Sequence, residues 1–192
     1  DNTIADAASG VGLAISGYTS ATVIGNNVSN VGVNGISVQG TSAGSATVSG
    51  NSVANTGAGG IQIDGFVNVD VSTNTLATLS NFGVSVSLTA NGNSIDGANA
   101  SGLSATDFTD IEISDNRIAD AVANGNCAFN TQQNGGRATI SDNSVSDIDG
   151  DGIFVQGYDS LSVVGNSVAG TTASGLLLFL SPLDPNGGLA TS

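Results

Sequence analysis

Three observations predict that this chain of 192 residues is an all-β solenoid, a parallel β-helix of about eight coils of 19–28 residues. An asparagine recurs at Asn2, Asn26, Asn51, Asn74, Asn93, Asn116, Asn143 and Asn166, at intervals of 24, 25, 23, 19, 23, 27 and 23 residues. Two residues after each stands an aliphatic: Ile4, Val28, Val53, Leu76, Ile95, Ile118, Val145 and Val168. Ten or eleven residues after each asparagine comes a second, alternating pair, usually led by glycine. The self-similarity is direct, since ATVSGNSVANTGAGGIQIDG from Ala46 aligns without a gap on ATVIGNNVSNVGVNGISVQG from Ala21.

Taken in chain order, each coil opens on a short strand whose inward residue lies three before the asparagine: Val23, Val48, Val71, Ala90, Ile113, Ile140 and Val163. A Gly-Asn or Asp-Asn turn ends it. The asparagine suits that corner because it tolerates turn conformations and because stacked amides can hydrogen-bond along the axis. The column is therefore read as structural. The glycine-led strand then contributes Leu13/Ile15, Ile36/Val38, Ile61/Ile63, Val84/Val86, Leu103/Ala105, Cys127/Phe129, Ile153/Val155 and Leu176/Leu178 as inward pairs. In this frame Cys127 is a buried apolar thiol. With no helical period, such repeats coil, each strand lying parallel on its predecessor at about 4.8 Å, and eight coils make a rod of roughly 38 Å. A thin interior also fits a composition of 28 Gly, six Phe and two Tyr with no Trp or Met.

Charge is lopsided. Fifteen Asp and one Glu face only Arg117 and Arg137, for a formal charge of −14. Such a surface repels phosphate backbones and anionic headgroups, so neither nucleic acid nor membrane insertion is expected. Disorder is opposed by a hydrophobic content of 39% and by the strict Val/Ile periodicity. A single cysteine excludes an internal disulfide framework, and no run is long enough to span a bilayer. Residues 1–192 read as a single β-helix domain, a segment of a longer solenoid or a filament subunit.

The N-x-[IV] corners and G-[IV]-x-[IV] strands resemble the right-handed parallel β-helix repeats of the pectate-lyase-like superfamily over nearly the whole chain. The resemblance implies an architecture that hosts lyases, glycosidases, epimerases, phage tailspikes and passive surface stalks, so function must be argued from residues. Lyases of this kind resemble one another in using a base near calcium or a cationic clamp, whereas this chain lacks His and Lys. Galacturonan hydrolases of the fold share an R-I-K segment, and here Arg117 and Ile118 are followed by Ala119. Asp70 and Glu112 share one outward column with Thr89 between them, roughly 9.6 Å apart, a separation compatible with inverting hydrolysis. The same column holds Thr22, Thr47 and Thr139, but Asp70, Glu112 and Ser162 interrupt it, unlike the Thr-x-Thr ladders of flat ice-binding faces. No catalytic or cofactor-binding residue is assigned. The one candidate metal site is Asp147, Asp149 and Asp151, whose D-x-D-x-D-G spacing suits calcium. Its twelfth position is Tyr158, which cannot supply a bidentate carboxylate.

No end cap is expected. DNTI at Asp1 matches the corner DNSV at Asp142, and LATS at Leu189 breaks off within a first strand. Joined, the two ends nearly complete a coil, with Thr191 falling where an inward aliphatic is usual and Ile4 following. Phe154, Leu177 and Phe179 stack on an outward face and suggest a lateral contact with protein or polysaccharide. The expected function is an extracellular or cell-surface structural β-helix (filament subunit, stalk or adhesin segment), not an enzyme. Its partner is itself, head to tail, or adjoining coils of a longer chain. The alternative is a carbohydrate-binding or polysaccharide-cleaving β-helix.

Overall fold

The computed structural model describes residues 1–86, 89–106, 110–129 and 136–180. Within them the chain forms 21 short strands and no helix, wound as a right-handed parallel β-helix. Each coil has three faces. Face A carries the strand after the asparagine, and its eight strands pair in one sheet. Face B carries the glycine-led strand and face C the strand before the next asparagine. These two are joined into one 13-stranded sheet because Leu13–Ile24 and Ile36–Ser49 run through both. All pairings are parallel and nearly free of slips, as in Val28↔Val53, Val53↔Leu76 and Ile95↔Ile118. Eight corners enclose seven complete turns, one fewer than the expected coil count, since eight successive points bound seven intervals.

The core is a set of axial columns. Val28, Val53, Leu76, Ile95, Ile118 and Val145 form one, and Val23, Val48, Val71, Ile113 and Ile140 are buried with them. Glycine-led strands add Ile36, Ile61, Val84, Leu103 and Ile153. At one coil the structure corrects the sequence reading. The inward pair is Asn126 and Ala128, not Cys127 and Phe129: Asn126 aligns with Leu103 and Ile153, and Ala128 with Ala105 and Val155. Cys127 is half-buried on the outer side, and Phe129 holds the register position of Thr106 and Gln156.

The physical reason is the glycine that precedes the pair. A Cβ at Gly125 would run into the Val145 Cγ1 methyl and lie 2.5 Å from the Gly152 carbonyl oxygen. The corresponding Gly35 would meet Val53 and the Gly60 carbonyl of its own next coil in the same way. Only glycine fits where the backbone of one coil passes so close to the next. Placing Cys127 inward would push Asn126 into that gap. The glycine contact therefore sets the register, and a one-residue shift that would exchange the two faces is blocked.

Left-handed backbone turns the chain at two corners per coil. One is the residue before the asparagine, with positive φ at Thr73, Asp115 and Asp142 as well as at glycines. The other lies four residues after it, at Asp6, Asn30, Asn55, Thr78, Asp120 and Asp147. Asp, Asn and Gly accept this region readily, whereas a β-branched side chain there is strained. At the second corner Asn30 Nδ2 donates to Asp6 Oδ1 and Asn55 Nδ2 to Asn30 Oδ1, both at 3.0 Å. Thr78, exposed with φ 55°, ends that run. Thr78→Asn relieves the strain and supplies an amide able to reach Asn55. It is expected to stabilise the fold by roughly 1 kcal/mol in equilibrium urea denaturation, and a loss of stability would contradict this account of the corner.

Candidate functional site

The dominant constellation is the asparagine column. From Asn26 onward each Oδ1 accepts two bonds from the preceding asparagine, one from its backbone N–H and one from its Nδ2. Asn26 Nδ2 donates to Asn51 Oδ1 at 2.9 Å, Asn93 to Asn116 at 3.0 Å and Asn143 to Asn166 at 2.8 Å. Backbone donors follow the same path, as from Asn51 N to Asn74 Oδ1 at 2.9 Å. A further Nδ2 bond often returns to the coil before, from Asn74 to the Val48 carbonyl at 2.9 Å and from Asn143 to the Ile113 carbonyl at 3.0 Å. The column runs without a break from Asn2 to Asn166, and its members from Asn26 to Asn143 are buried. This is the structural ladder that the spacing predicts.

The strand register places Asp70 and Glu112 as expected, on the outer side of face C, with Thr89 between them. Thr22, Thr47, Thr139 and Ser162 complete the column. Arg117 lies exposed on face A. Arg137 lies exposed on face C, where its backbone N–H donates to Asp110 Oδ1 at 3.2 Å. The two guanidinium groups therefore belong to different faces and do not form a clamp.

Asp147, Asp149 and Asp151 take up three different positions. Asp147 is the left-handed corner residue and Asp149 is exposed. Asp151 is half-buried, and its Oδ1 accepts from the Ser174 backbone N–H at 2.9 Å. That contact repeats one made by asparagine in other coils, from Gly59 N to Asn34 Oδ1 at 2.9 Å and from Asp151 N to Asn124 Oδ1 at 3.1 Å. Sequence reasoning missed these contacts, which share an offset of eight residues from the column asparagine but recur in only some of the coils. A surface groove gathers Asp120, Asp147 and Asp149 instead, with Ala121, Val122 and Gly170. Among the described residues, no three or more His, Cys, Asp or Glu side chains are arranged to hold a metal ion.

On face B the outward column changes from polar to apolar along the axis, from Ser104 through Cys127 and Phe154 to Leu177. Phe154 and Phe179 meet edge to face with ring centroids 6.1 Å apart, and Phe179 is 49% exposed. The structure thus brings the three predicted contact residues together. Burial pushes the Cys127 thiol above its ordinary value, a hydrogen bond with the Asn124 side chain opposes the rise, and the charge of Asp151 adds to it. Ile4 packs half-buried against the end of the core. Leu189 and Thr191 lie outside the described residues.

Residues 9–168 match the family described as right handed beta helix region. No curated protein and no solved structure matches the chain.

Two outcomes follow from this geometry. Asn143→Ala is expected to cost about 1–3 kcal/mol in denaturant melts, because it removes the acceptor of the Asn116 N–H and Nδ2 and the amide donor to Asn166 Oδ1 and the Ile113 carbonyl. Asn27→Ala, at an exposed position, should stay within about 0.5 kcal/mol of the parent; equal effects would refute the ladder's energetic role. For Cys127, the thiolate is the reactive form, so its alkylation rate should rise with pH along a curve displaced above that of a small free thiol. Asp151→Asn should move the curve back toward it. An inflection at or below the free thiol would contradict the burial argument.

Proposed function

This chain belongs to the right-handed β-helix family, and from that premise we propose that it is an extracellular structural rod, a stalk, filament or adhesin segment. The observation that carries the reading is the unbroken, directional asparagine column. At one edge of the described coils Asn2 presents an Oδ1 that in every later asparagine of the column accepts two bonds from the coil before. At the other, Asn166 presents the backbone N–H and Nδ2 that elsewhere donate to the coil after. The edges match in the apolar columns too, with Ile4 in line with Val168, and Leu13 and Ile15 in line with Leu176 and Leu178. On this reading the matching edges are the surfaces on which a second copy, or further coils of the same kind, would extend the rod. A location outside the cell or on its surface agrees with the passive stalks that the repeats resemble.

Corner charge is compatible with such continuation. At the position before the asparagine, Gly165 would meet Asp1, as Gly92 precedes Asp115 within the chain; four residues after it, Gly170 would meet Asp6, as Gly97 precedes Asp120. No carboxylate is brought against another at these corners.

A second reading, a polysaccharide-binding or polysaccharide-cleaving face, is supported by Asp70 and Glu112 in one open column of threonines. It predicts a loss of glycan binding or cleavage in an Asp70→Asn, Glu112→Gln double variant, which axial assembly would survive. No cofactor forms part of the structural reading. A calcium ion shared by Asp147, Asp149 and Asp151 would raise the melting temperature in the parent but not in Asp149→Ala.

Electron microscopy of the purified chain should show rods of varied length whose formation strengthens with salt, because salt screens the repulsion between segments of −14 charge. Ile4→Asp should abolish the long rods and leave the β-sheet circular dichroism intact. Uniform particles one segment long at every salt concentration would refute self-assembly.

A further inference from the structure

We infer that residues 117–128, which carry Asn126, are the built-in weak segment of the rod, the place where it opens first. Asn126 occupies an inward position between Leu103 and Ile153 and is 1% exposed. Among the described residues neither its Nδ2 nor its Oδ1 has a hydrogen-bond partner, and both atoms are enclosed. An amide held this way has lost its water without a replacement, and opening the coil restores it.

The apolar packing around that amide is thin as well. In the column that holds Val31, Thr56, Leu79 and Ile148, two consecutive coils place Ala98 and Ala121. In the column of Val38, Ile63 and Val155, the same two coils place Ala105 and Ala128. Each alanine makes fewer contacts than the aliphatic it replaces. Both deficits therefore fall on one stretch of the axis, flanked on both sides by well-filled coils.

The coil cannot relieve the amide by sliding. Turning Asn126 outward would need it to occupy the place of Gly125, where a Cβ meets Val145 and the Gly152 carbonyl. With the register locked, the free energy of the unpaired amide is recovered only through local opening, which lowers the opening free energy of this coil relative to its neighbours. The inference concerns the rod's mechanics and holds whether or not the chain assembles axially or binds a glycan.

Hydrogen exchange followed by mass spectrometry on the full chain tests it. Amides of residues 117–128 should exchange about ten- to a hundredfold faster than those of 53–63 and 144–155. Equal protection across the three stretches would overturn the inference, and the measurement needs no variant. Asn126→Val introduces a residue type already used in this column at Val84. It should slow exchange of 117–128 to the level of the flanking coils and raise the melting temperature. A lower melting temperature, or unchanged fast exchange, would show that the amide is not the source of the weakness.

Discussion

One bond pattern governs the molecule: a corner amide whose oxygen takes two donors from the coil before it. A parallel β-helix must turn sharply three times per coil, and each turn lifts backbone donors out of the ladder. Inside a narrow tube these donors cannot reach bulk water. The asparagine answers this at the tightest corner because one side chain offers both an acceptor and donors. Its Oδ1 satisfies the backbone of the preceding coil, and its Nδ2 continues the chain of amides and, in most coils, also reaches back to a carbonyl. Once that corner is fixed, the residue two positions later must point inward and the residue between them outward. The three faces follow from the corner.

The glycine ahead of face B provides the second constraint. It acts through contact rather than conformational freedom, since its missing Cβ leaves room for the next coil's carbonyl and for an aliphatic of the column at Val145 or Val53. Between the asparagine and the glycine, registry is held at two points per coil. The remaining positions need only alternate. That explains how the chain tolerates intervals from 19 to 27 residues between corners while keeping parallel pairing on all faces. Length is absorbed between faces B and C, where neither constraint acts.

Where the sequence could be read, each position had a single chemical demand. Asn143 must bridge coils and Ile153 must fill the tube, so both were legible from spacing and type. Asn126 was misread because hydrophobicity was allowed to outrank spacing. It stands ten residues after Asn116, as Ile153 does after Asn143, and the constant offset names it correctly. The left-handed corner at Asp6, Asn30, Asn55, Asp120 and Asp147 went unread, although its residue types are ones that accept positive φ. The role of Asp151 was less accessible. Its column also contains Gly59, Phe82 and Ser101, so the bond to the next coil's backbone is optional and leaves no uniform signature. For the same reason an acidic run resembling an ion loop can be composed of residues with unrelated duties.

In a solenoid, chemistry has an unusual geometric condition. Residues that meet along the axis come from equivalent positions, so a regular column places like beside like and cannot assemble an acid, a base and a donor. Unlike groups come together only where a column changes type. Among the described residues such changes include carboxylates entering the threonine column at Asp70 and Glu112, apolar groups replacing serine from Cys127 through Phe154 to Leu177, and an amide entering the aliphatic interior at Asn126. The last two begin in the same coil, on opposite sides of one strand, because Gly125 assigns Asn126 to the interior and Cys127 to the surface. A single contact thus determines both where the rod is weakest inside and where its outer face turns apolar.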